Sequence, residues 1–151
     1  MRRLRAGPGK LAGDAGVSFV EAAVVLPVVI VIMIAAFDFG RAFTTLSVAQ
    51  KGLRTATRFL TTLPLPAVCG WGLPQAQNLA VFGNVAGTGK AAVTGWRPAD
   101  VILELPANCT DPNNVSVVRL TTWVTYNALI WQAIGLPSQV RLSTEHEERW
   151  L

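Results

Sequence analysis

Charge disappears from the chain after Glu21 and returns only at Asp38. The sixteen residues between them, Ala22 to Phe37, read AAVVLPVVIVIMIAAF and leave no polar side on a helix. Such a helix measures ~24 Å at about 1.5 Å per residue. Counted from Val17 the stretch has twenty-one residues and ~31 Å, the thickness of a hydrocarbon core of roughly 30 Å. A helix apolar all round needs protein or lipid on every side. The rest of a 151-residue chain is too small to wrap it. Residues 17–41 therefore read as a transmembrane helix.

The pattern then changes rather than stopping. Ala35, Phe39, Ala42, Leu46, Ala49, Leu53, Ala56 and Leu60 recur at alternating steps of four and three, a heptad-like seam. Lys51, Arg54 and Arg58 stand off it and read as a solvated side. Gly52 should weaken the helix by about 0.5–1 kcal/mol relative to Ala. Residues 42–62 are thus an amphipathic continuation of the first helix. Its seam packs on the chain's own later residues, on neighbours, or on both at different heights. Leu63-Pro64-Leu65-Pro66 ends it, because each proline disfavours helix in the residue before it.

Residues 63–151 read as an α+β head. A short helix is predicted over 74–83, with Pro74 near its start and Gly83 near its end. A Gly/Thr/Ala-rich loop runs from Gly83 to Gly95. Its Gly87-Thr88-Gly89-Lys90 is followed by Ala91 rather than Ser or Thr, so it reads as a turn and not a phosphate loop. Three strands are predicted: Val101 to Leu105, Val115 to Tyr126, and Val140 to Arg149. Thr110-Asp111-Pro112-Asn113-Asn114 is the turn between the first two. The fold class is α+β: a long N-terminal transmembrane and amphipathic helix, then a small antiparallel sheet.

Composition sharpens this picture. Hydrophobic residues make up 51% and charged residues 15%, with a mean hydropathy of +0.40, which excludes a disordered chain. The net charge of +4 suggests nucleic-acid binding only until it is located. Residues 1–16 carry +3 of it and residues 17–151 carry +1, so no basic binding face is implied. Four bases before the apolar span set the N-terminus in the cytoplasm and the head outside. No Ala-x-Ala cleavage pattern follows the span, so it reads as a retained anchor rather than a cleaved secretory signal.

The chemistry available is sparse. Cys69 and Cys109 are the only cysteines. Outside the cytoplasm they suit a disulfide contributing ~2–4 kcal/mol; the alternative is two unlinked thiols. The single His146 lies in a charged strand and reads as a surface residue. No metal-ligand cluster or nucleophile–base set emerges, so no enzyme activity and no cofactor is expected. Glu21 is the exception to a plain anchor. A carboxylate at the start of an apolar run is either interfacial, favoured by the helix dipole, or functional.

Glu21 is the fifth residue after Gly16, in Gly16-Val17-Ser18-Phe19-Val20-Glu21, behind a basic leader and ahead of a long apolar helix. That arrangement resembles the processing site of type IV pilin precursors. More narrowly, residues 13–60 resemble the TadE-like minor pilins of tight-adherence (Tad/Flp) pilus systems. The likeness rests on Val20-Glu21-Ala22 leading to Leu26-Pro27, on Asp38-Phe39-Gly40-Arg41, and on Ala49-Gln50-Lys51-Gly52-Leu53-Arg54. Gln77 to Asn84 and Gly95-Trp96-Arg97-Pro98 resemble the family less specifically. Ala22 stands where major Flp-type pilins carry an aromatic, which favours a minor pilin.

The resemblance implies a leader, residues 1–16, removed by a prepilin peptidase between Gly16 and Val17. It implies that Glu21 serves peptidase recognition or assembly, where it can pair with the new Val17 amine of a neighbour. Pro27 should bend the helix by removing the hydrogen bond to Ala23. The implied function is pilus assembly (initiation, priming or capping) with a major Flp-type pilin, another minor pilin and the inner-membrane assembly platform. The alternative is an uncleaved single-pass anchor with a ligand-binding head, residues 63–151.

Overall fold

A computed structural model describes residues 11–104, 117–128, 131, 135 and 137–149, with side chains from Phe19 onward. The element order is a long helix, three short helical segments, a 3-10 turn and three strands. Two compact units divide the chain, Met1–Phe37 and Asp38–Leu151.

The helix α1 spans Leu11–Thr61 and contains Pro27. Helix formation is cooperative once nucleated. In the first unit every described side chain from Phe19 to Phe37 is exposed. The helix is long and apolar enough to cross a membrane.

In the second unit the seam residues Ala49, Leu53, Ala56 and Leu60 are fully buried. Ala42 and Leu46 are half-buried, and Phe39 is 75% exposed. The head thus covers the far end of the seam and leaves its near end open. Lys51, Arg54 and Arg58 are exposed, as their positions off the seam predict.

Beyond α1 the chain turns without becoming a plain loop. The short helix α2, Leu65–Ala67, leads into a π-helical turn at Val68–Gly72. Pro64 and Pro66 permit this, because the first helical turn needs no backbone donor. Gly70 breaks the helical geometry inside the turn. The helix α3 then runs Leu73–Phe82 and ends on Gly83, whose φ of 73° is left-handed. That conformation is why the helix stops at a glycine.

Gly52 has a different role from the weak point its propensity suggests. A Cβ at this position would lie 2.4 Å from the Ala80 carbonyl oxygen and 3.0 Å from the Trp96 ring. Glycine is therefore what lets α1 meet α3 backbone to backbone. Trp96 is buried in the same place, and its indole N–H donates to Thr122 Oγ1 at 2.9 Å. Thr122 in turn donates to the Asp100 carbonyl at 2.8 Å. A buried indole N–H needs such a partner.

The loop after α3 closes on itself. Asn84 accepts the Thr88 N–H at 3.1 Å and donates to the Thr88 carbonyl at 2.7 Å. Gly87 and Gly89 take positive φ, 69° and 100°. This is the expected turn.

Strands β1 (Val101–Glu104), β2 (Val117–Asn127) and β3 (Gln139–Arg149) form an antiparallel sheet in the order β1-β2-β3. The predicted strands agree with these to within two residues. Leu105, Val115 and Ser116, and the turn from Thr110 to Asn114, lie outside the described residues. Val118, Leu120, Thr122, Val124 and Tyr126 alternate into the core, following the period of two. On the outer face Arg119 stands between Glu104 and Glu147 in register. It bonds Glu147 at 2.8 Å and lies 3.9 Å from Glu104. The Arg119 pKa is raised chiefly by the hydrogen bond and charge of Glu147, with the charges of Glu145 and then Glu104 adding to the rise. Exposed pairs of this kind add little stability; their use is to penalise a slipped register.

Candidate functional site

The most specific polar contact in the head lies at the first charge after the apolar run. Asp38, Arg41 and Ala42 are spaced i, i+3 and i+4 and so share one side of α1. Tyr126 is the last inward position of β2, 88 residues from Asp38. Asp38 is only 4% exposed and Tyr126 8%. The Tyr126 hydroxyl lies between the Asp38 carboxylate, Oδ1, and the Asp38 backbone carbonyl, the latter at 2.9 Å. The Arg41 guanidinium stands 5.9 Å from the centre of the Tyr126 ring, within cation–π range. Burial pushes the Tyr126 phenol pKa up, and its hydrogen bond to Asp38 adds to the rise.

Beside this contact is an apolar pocket of about 250 Å³. Phe39, Ala42, Phe43 and Leu46 of α1 form one wall, and Val140 and Leu142 of β3 face them. Tyr126, Ala128, Trp131 and Asp38 complete it. Phe39, Phe43 and Trp131 are 75%, 64% and 37% exposed, so the pocket has an apolar rim.

At the opposite end of the sheet the inward row of β3 turns polar. His146 and Glu148 are half-buried there. His146 is thus not the surface residue its charged neighbours suggest, because the two-residue alternation carries even-numbered positions inward. Glu148 lies 3.6 Å from Arg58 of α1. Among the described residues no group of three His, Cys, Asp or Glu could hold a metal ion.

The residues singled out by sequence are not gathered at one site. Gly16 and Val17 lie inside α1. Glu21 is exposed on it, as is Pro27. Cys69 sits half-buried in the π-helical turn and is disulfide-bonded; Cys109 lies outside the described residues. Asp38 and Arg41 carried only the family likeness, with no contact assigned. Their partner Tyr126 was missed, although it is the only tyrosine and stands at an inward position of a predicted strand.

Residues 16–58 match the family model described as TadE-like protein. The match begins at Gly16, includes Glu21 and Asp38 to Arg41, and ends at Arg58, the last basic residue of α1. It is the same family that the sequence motifs resemble. No curated protein and no solved structure matches the chain.

Proposed function

We propose that this chain is a TadE-like minor pilin acting in the assembly of a Tad/Flp-type pilus, in a structural rather than catalytic role. The observation that carries the proposal is the family match over 16–58, a segment that holds Gly16, Glu21 and the exposed apolar helix together. The precursor is held in the cytoplasmic membrane by residues 17–41, with residues 1–16 in the cytoplasm and the head outside. The prepilin peptidase removes residues 1–16. The mature chain then engages the major pilin, a second minor pilin and the assembly platform. Cys69 pairs with Cys109 in the oxidising compartment.

Cleavage requires an extended peptide, and α1 already includes the Gly16–Val17 bond. Gly13 and Gly16 ease its opening, each weakening a helix by about 0.5–1 kcal/mol. A helix that runs unbroken through Gly16 and Val17 is also what an uncleaved anchor would show. The intact mass of protein recovered from peptidase-positive membranes decides between the two. The mature chain should begin at Val17, and Gly16→Val should block processing. A chain that still begins at Met1 in that host removes the pilin reading and leaves the uncleaved anchor.

A further inference from the structure

We infer that the pocket between α1 and β3 holds part of an acyl chain from a phospholipid of the bilayer's outer leaflet. The inference rests on the membrane-anchored reading of residues 17–41 and adds to it a lipid site on the head itself. Three observations identify the occupant.

Chain position comes first. Phe39 and Phe43 follow Phe37, the last residue of the uncharged run, by two and six positions. At roughly 1.5 Å per helical residue these are ~3 and ~9 Å. The polar layers add about 10–15 Å in total to a ~30 Å hydrocarbon core, about 5–8 Å on each side, so Phe39 falls where acyl chains meet headgroups and Phe43 at the outer edge of that layer.

Chemistry comes second. Two polar side chains reach the pocket wall, Asp38 and Tyr126, and each is engaged by the other, so the rest of the interior offers a guest apolar surface. An apolar cavity of ~150 Å³ already stays dry and takes a benzene-sized molecule. This one is about 250 Å³, below the ~300–1,000 Å³ of whole-ligand sites. It suits a length of alkyl chain, with the remainder of the lipid outside.

The third observation is the rim. Phe39, Phe43 and Trp131 are exposed around the mouth, and aromatic rings favour the headgroup level. Arg41 is exposed and lies against the Tyr126 ring, where a cation can meet a lipid phosphate.

The test uses the full chain in phospholipid nanodiscs, with lipids brominated on the acyl carbons nearest the glycerol as quenchers of tryptophan fluorescence. Trp131→Phe should remove about half or more of the quenching, because Trp131 is the tryptophan on the pocket wall. Ala42→Phe, which fills the pocket, should lower the Trp131-dependent quenching about twofold or more, and Ala42→Ser should leave it unchanged. Native mass spectrometry of the wild type released from the same discs should retain one phospholipid. Quenching that ignores Trp131, a Trp131 signal that ignores pocket filling, or release without lipid each overturns the site while the anchor reading stands. Protein that does not stay with the discs overturns both.

Discussion

At the scale of single residues, Tyr126 converts a sequence motif into a physical contact. Asp38 is the first charge after sixteen uncharged residues, where a carboxylate facing lipid is costly. The head covers it with a phenol. Tyr126→Phe keeps the ring and the Arg41 contact but removes this donor. Leaving a buried acceptor short of a donor costs ~1–3 kcal/mol. The raised pKa gives the contact a pH signature. Below the ordinary tyrosine value of 10.0 the phenol is protonated folded and unfolded, and its contribution is fully present. Above it the unfolded chain releases its proton first, so stability falls as pH rises until the folded phenol ionises too. Because Tyr126 is the only tyrosine, phenolate absorbance reads it directly. The folded chain should titrate above 10, and alkaline loss of stability above that pH should be shallower in Tyr126→Phe. Titration at or below the ordinary value would show that the phenol is neither buried nor bonded as described.

At the scale of elements, one seam serves two surroundings. Leu53 is fully buried against the head, whereas Phe39 on the same seam is 75% exposed. Leu53→Ala should destabilise the head by ~2–5 kcal/mol, the range for removing a buried leucine. Phe39→Ala should change its stability by no more than about 0.5 kcal/mol, as at most exposed sites. Urea unfolding of both variants in the same detergent measures the contrast; equal losses would mean that the seam packs uniformly. The spacing of the seam was legible in sequence because period 3.6 is local, and the strands were legible because period 2 is local. The division of the seam was not, since it depends on which helix turns the head reaches. The Asp38–Tyr126 contact lay hidden for the same reason: strand register and helix docking, 88 residues apart, set it. Gly52 misled in the other direction. Its propensity cost is intrinsic and readable, but the Ala80 carbonyl that excludes any side chain is known only from the fold.

At the scale of the whole molecule, Glu21 is exposed on α1, with no ion pair to another charged group among the described residues. The apolar residues around it are exposed too, a surface suited to lipid or to other helices. Were Glu21 only interfacial, Glu21→Gln would change little, because the two side chains match in size and polarity. In the proposed assembly Glu21 instead pairs with the Val17 amine of a neighbouring processed subunit. Glutamine then leaves that amine without its counter-charge among packed apolar helices. Breaking one side of a buried pair costs ~3–5 kcal/mol in general, a factor of about 100 to 4,000 in a contact's equilibrium constant. Insertion should survive, since glutamine is no harder to place near lipid than glutamate. Cleavage after Gly16 should largely survive too, since the bond lies five residues away. The expected Glu21→Gln phenotype is therefore a processed, membrane-retained chain that no longer copurifies with its pilin partners and does not support piliation. Normal recovery of partners with normal piliation would assign Glu21 to the interface alone and remove the charge pair from the assembly.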